Sequence, residues 1–167
     1  MKIFNFILIL FLLTGTLYAK DKSSRKNSFK KSNDEIEKVL TGYIDTVTSK
    51  KFLSKQKLLK KNSHQSESEF AGGAMVTFKE FVYNGILMKR YGDKDLLESL
   101  EVTKSFPSLK FNPIGLNKSY IIKHLGSPSY EDKDELTYEY GQGAPQSVKF
   151  TIEKGIVTKF EHIPYSG

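Results

Sequence analysis

The sequence predicts an α+β chain built of two helix-plus-antiparallel-meander repeats, with an amphipathic helix ahead of them. Three observations carry that expectation. A short helix with its own start and stop signals spans Leu116 to Pro128. Three segments of strand character, separated by tight turns, follow it. An earlier stretch beginning at Leu53 matches that helix in constant register, and it too is followed by three strand-like segments.

In chain order, Met1-Lys2 carries positive charge and Ile3 to Leu13 is an apolar run broken only by Asn5. Small and polar residues from Thr14 to Ala19 follow, so residues 1–19 read as a secretory signal peptide cleaved after Ala19. The apolar run falls short of the roughly 20 residues a membrane-spanning helix needs. The chain contains no cysteine, which removes a lipid-bearing cysteine, a disulfide and a thiolate metal site. A periplasmic or secreted protein is expected, with no transmembrane segment after cleavage.

The net charge is +7, and much of it is local. Lys20, Lys22, Arg25, Lys26, Lys30 and Lys31 crowd residues 20–31, a polar stretch whose one hydrophobe is Phe29; it reads as a basic flexible leader. A second cluster comprises Lys50, Lys51, Lys55, Lys57, Lys60 and Lys61. Such clusters could meet anionic lipid, envelope phosphate or an acidic protein, but the expected reading is a solvated tail and a solvated helix face. No basic motif interleaved with aromatics points to nucleic acid.

Residues 32–103 form the predicted N-terminal helix and first repeat. Ser32-Asn33-Asp34-Glu35 is a capping box, and acidic residues in the first turn complement the helix dipole. Ile36, Val39, Leu40, Tyr43, Ile44 and Val47 then make one apolar stripe on a helix ending near Ser49. Leu53-Ser54-Lys55 through Leu58-Leu59-Lys60 predicts the first short helix, and His64 to Glu69 an acidic loop. Strands are expected at Val76–Tyr83 and Ile86–Tyr91, joined at the hairpin signal Asn84-Gly85, and at Leu96–Thr103. Residues 104–113, with Pro107 and Pro113, form a linker.

Residues 114–167 form the second repeat. Asn117 is the predicted N-cap, Leu116 and Ile121 a hydrophobic staple, Gly126 a left-handed stop, and Pro128 prevents continuation. After an acidic loop, Ser129 to Glu135, strands are expected at Leu136–Tyr140, Ser147–Glu153 and Ile156–Ile163, with Gly141 to Pro145 as a loop. Val157 and Phe160 have opposite parity, so a bulge or a two-sided contact is required between them. In each repeat the helix covers one face of the meander, which leaves one broad face open to water.

Catalytic constellations are not found. His64, His124 and His162 stand in unrelated settings, and no His-x-x-x-His, His-Glu-x-x-His or Gly-x-Ser-x-Gly pattern occurs. Gly72-Gly73 and Gly141-Gln142-Gly143 are too short for phosphate loops. Glu131, Asp132, Asp134 and Glu135 lack the alternation and central glycine of a calcium loop. No enzyme, cofactor or metal is expected. Met88, Arg90, Thr137, Glu139, Lys149 and Thr151 are the candidate binding residues, assigned to the face opposite the helices.

Ile114-Gly115-Leu116-Asn117-Lys118 through Leu125-Gly126-Ser127-Pro128, with Leu136-Thr137-Tyr138-Glu139-Tyr140 and Val148-Lys149-Phe150 to Gly155-Ile156-Val157, resembles the SmpA/OmlA (BamE-like) domain. The wider β-lactamase inhibitory protein fold repeats a unit of that type in tandem. The resemblance implies an envelope protein that acts by binding another protein. An inhibitor or immunity-type protein using its open sheet is the first expectation, and an envelope assembly or scaffolding factor of the BamE-like type is the alternative. The first unit departs from the motif, having Asn62-Ser63 where Leu125-Gly126 would stand.

Overall fold

A computed structural model of the chain describes residues 31–68, 72–141 and 145–164. The predicted signal peptide, and all of the basic leader but Lys31, lie outside the described residues. Helix α1 (Asn33–Thr48) starts where the capping box places it. The Glu35 amide donates to Ser32 Oγ at 3.3 Å, and the Ser32 amide donates to Glu35 Oε2 at 3.2 Å. The predicted stripe supplies the buried face, with Ile36, Leu40, Tyr43, Ile44 and Val47 enclosed and Val39 packed at the margin. Ser49 takes an extended backbone that ends α1, and its hydroxyl then accepts the Phe52 amide to start the one-turn helix α2 (Lys50–Leu53).

Eight strands follow: β1 (Leu58–Ser68), β2 (Ala74–Tyr83), β3 (Ile86–Tyr91), β4 (Leu96–Val102), β5 (Tyr130–Asp132), β6 (Glu135–Tyr140), β7 (Gln146–Glu153) and β8 (Ile156–Ile163). Helix α3 (Lys118–Leu125) lies between β4 and β5. The strands form one antiparallel sheet in the order β1-β2-β3-β4-β8-β7-β6-β5. Its two consecutive meanders meet at a short seam, where Leu100 pairs with His162, Glu101 with Glu161 and Val102 with Phe160.

This architecture overturns the expectation of two helix-plus-meander repeats. Leu53 is the last residue of α2, and Leu58-Leu59-Lys60 belongs to strand β1 rather than to a short helix. The reason lies in burial. A helix of about two turns does not hold in water without a surface to press against. Leu58 and Leu59 remain largely exposed, whereas Ile121 and Leu125 of α3 are completely enclosed. Without core contact, the backbone of the first stretch pairs instead with β2, from Leu58 opposite Tyr83 to Ser68 opposite Ala74. The acidic loop of the second half also contains a strand, β5, paired with β6.

The parity conflict in β8 is resolved by a bulge. Thr151 pairs with Lys159 but Ile152 pairs with Val157, so Thr158 is the extra residue, and Val157 and Phe160 both reach the core. A bulge at Glu98 does the same in β4, between the pairs Ser99–Lys89 and Leu97–Arg90.

Every fully buried side chain of the sheet sits on the helix side. Ile86, Val102, Phe160, Phe150 and Leu136 form one row across five strands; Met88, Leu100, His162, Val148 and Tyr138 form the next. Tyr43 of α1 meets Phe160 edge-on at 4.8 Å and Phe111 of the linker at 5.7 Å. At α3, Asn117 occupies the N-cap position without a side-chain cap bond; its backbone is fixed instead by a bridge to Ile156. The Gly115 and Lys118 amides donate to Val157 and Gly155 carbonyls, both at 2.9 Å, docking the helix entry on the β7–β8 turn. Gly126 closes α3 at φ 92° and ψ −167°, a region adopted readily only by glycine, and its carbonyl accepts the Tyr138 hydroxyl at 3.0 Å.

Candidate functional site

The face turned away from the helices presents rows of side chains set by strand register. One row crosses all eight strands: Tyr130, Thr137, Lys149, Glu161, Glu101, Leu87, Val82 and Lys60. Among the described residues none of this row is fully buried, and no helix covers it. Glu101 and Glu161 stand directly opposite each other, an arrangement that destabilises a sheet unless cations intervene. Lys159 supplies one, with Nζ 3.1 Å from Glu161 Oε1 and 3.9 Å from Glu101 Oε2. Lys149 supplies the other, 3.4 Å from Glu161 Oε2, an oxygen shielded from solvent that has no hydrogen-bond partner. The centre of the face is thus a four-residue charge lattice.

Toward β1 the same face becomes aromatic. Phe78 stacks on His64 at 5.6 Å and lies 6.3 Å from Tyr91, while Asn62 donates to Glu80 at 3.1 Å. A shallow recess of about 230 Å³ beside this ladder is lined by His64, Phe78, Glu80, Lys89 and Glu98, among others.

Of the residues singled out from sequence, Thr137, Glu139, Lys149 and Thr151 lie on this open face, Glu139 exposed and the others half-buried. Met88 and Arg90 do not. Met88 is 2% exposed beneath the helices, opposite Leu100. Arg90 shares its parity; its guanidinium donates to the Thr48 carbonyl at 3.3 Å and the Asp95 carbonyl at 2.8 Å, tying the end of α1 to the β3–β4 turn. The misplacement has a plain cause, because Ile86-Leu87-Met88 is apolar on both faces and shows no alternation. Register with β4 is what assigns the parity.

The residues missed by sequence reasoning are Glu101, Glu161 and Lys159 of the lattice and the His64–Phe78–Tyr91 ladder. The Asn84-Gly85 hairpin signal contains half of the ladder, since a two-residue turn sets Phe78 opposite Tyr91. His64 reaches Phe78 through the pairing of β1 with β2, and Glu101 meets Glu161 at the seam; nothing local encodes either.

On the helix side, His162 is nearly enclosed, with Nδ1 3.3 Å from the Tyr140 hydroxyl. Burial pushes its pKa down to about 4, against a smaller opposite effect of a backbone hydrogen bond at Ser147. Burial raises the pKa of the Tyr140 hydroxyl, with Glu37 and Asp45 of α1 adding to the effect. At neutral pH this is therefore an uncharged pair inside the core.

Among the described residues, no group of three His, Asp or Glu side chains is placed to hold a metal ion, and no helix is long and apolar enough to cross a membrane. The chain matches no family model, no curated protein and no solved structure.

Proposed function

We propose that this chain is an exported, non-enzymatic protein-binding module, an inhibitor or immunity-type protein that occludes its target with the open face of the sheet. The observation that supports it is the asymmetry of the sheet. One face is closed by three helices and a linker, while the other offers eight strands of half-exposed side chains with a balanced charge lattice at the centre. A rigid, pre-formed surface of this kind loses little side-chain entropy when a partner arrives. The opposed charges favour a partner of complementary pattern over others.

The test uses paired capture experiments from envelope extract. The wild-type chain is expected to retain a saturable protein partner, Lys149→Glu with Lys159→Glu to lose it, and Lys51→Glu on α2 to keep it. Absence of any saturable partner, or retention by the double variant, counts against the proposal. The second reading, an envelope assembly factor, draws on the resemblance carried by residues 114–157. A deletion strain with unchanged outer-membrane permeability would argue against it.

A further inference from the structure

A second recess lies in the helix layer, on the opposite side of the sheet from the candidate face. Here α1, the linker and α3 enclose a cleft of about 410 Å³, within the roughly 300–1,000 Å³ typical of small-molecule sites. Val39 and Tyr43 line it from α1, Leu109 and Phe111 from the linker, and the lining is mostly apolar. Gly42 opens the α1 wall, because a Cβ built there meets nothing within 4 Å. That vacancy is not forced by helix packing, so the glycine leaves space that any other residue would fill.

The charged groups lining this cleft are of one sign, and Thr46 adds a neutral hydroxyl. Exposed Lys38 and Lys110 line it, and among the described residues no carboxylate does. The His124 ring, stacked on Phe111 at 5.4 Å, closes the α3 side. Burial, and then the neighbouring Lys31, hold its pKa below the ordinary histidine value, so at neutral pH it is an uncharged wall. The Tyr43 hydroxyl is buried without a hydrogen-bond partner in the same α1 wall. An apolar slot lined by two ammonium groups and no carboxylate, with Asp34 and Glu37 reaching Lys38 only from the adjoining recess, suits a ligand that is apolar along its length and anionic at one end.

We infer that this cleft binds a single-chain amphiphile, its alkyl chain lying along Val39, Gly42, Tyr43 and Phe111 and its carboxylate or phosphate head meeting Lys38 and Lys110. A cationic amphiphile lacks a partner here. A free inorganic anion leaves the apolar walls unused.

Calorimetric titration of the purified chain with dodecanoate and with dodecyl phosphate, below their micelle concentrations, tests the proposal and distinguishes the two head groups. Saturable binding of at least one of them at one molecule per chain is expected. Dodecanol, dodecyltrimethylammonium and inorganic phosphate are each expected to bind at least about tenfold more weakly. Gly42→Leu should remove binding without lowering the thermal midpoint, and Gly42→Ala should weaken it by about threefold. Lys38→Gln with Lys110→Gln should weaken it by about fivefold and flatten its salt dependence. Amide chemical-shift changes on titration should centre on Tyr43, Leu109 and Phe111. Failure of both anionic ligands to saturate, equal affinity for the cationic amphiphile, or binding undiminished in Gly42→Leu each overturns the proposal.

Discussion

Glu161 and His162 are neighbours on β8, yet they belong to two different chemical environments. His162 points into the helix-covered core, where loss of water makes the charged imidazolium costly and keeps the ring neutral. Glu161 points to the open face, where its carboxylate lies beside the ammonium groups of Lys149 and Lys159. One residue of register separates a side chain that stabilises by excluding water from one available to a partner. The comparison teaches that stability and recognition are divided between the two faces of the sheet, so substitutions on each should fail in different ways.

The largest expected effect is on the covered face. Phe160 is fully enclosed among Tyr43, Phe150 and Val102, so Phe160→Ala should cost about 3–5 kcal/mol in urea denaturation. A loss below about 1 kcal/mol would mean that this row is not the core.

Next is the acid response of His162. Its folded pKa lies below the unfolded value, so the unfolded chain binds the proton first as pH falls. The stabilisation is present above about pH 6.5 and declines as pH falls toward 4, with roughly 2–3 kcal/mol lost by about pH 4.5 from this group alone. His162→Leu should flatten that part of the pH–stability curve, as measured by denaturation at both pH values. An equally steep decline in the variant would assign the acid response to other groups.

A smaller loss is expected at the start of α1. Ser32→Ala removes the side-chain half of the capping box and should cost about 1 kcal/mol, seen as a lower denaturation midpoint with unchanged slope. The smallest effect belongs to the open face. Lys159→Ala leaves Glu101 and Glu161 opposed with one cation fewer, yet the site is partly solvated, so about 0–1 kcal/mol is expected, decreasing with added salt. A cost as large as that of Phe160→Ala would place the lattice in the core rather than on a surface.

Elements with complete local instructions were legible in the sequence. The capping box and stripe of α1, the Asn84-Gly85 turn, and the strands at 86–91 and 136–140 all appear close to where their residues indicate. That Val157 and Phe160 need a bulge or a two-sided contact was legible too, because parity is a local property; the register with β7 decided for the bulge. The stretches at Leu53 and Leu116 show where legibility ends. Both carry a leucine, a capping residue and an apolar pair, yet one runs from a helical turn into an edge strand and the other is a docked helix. About two turns of helical pattern is too little to decide between these outcomes, so whichever surface receives the segment decides.

By itself the sequence determined the turns at Asn84-Gly85 and Lys154-Gly155 and the amphipathic stripe of α1, because each follows from residues a few positions apart. The tertiary structure alone decided the single eight-stranded sheet, the Glu101–Glu161 seam, the side on which Met88 and Arg90 lie and the cleft beside Gly42. Each of those depends on residues far apart in the chain, and pairing between distant strands leaves no local signature until the backbone groups have found their partners.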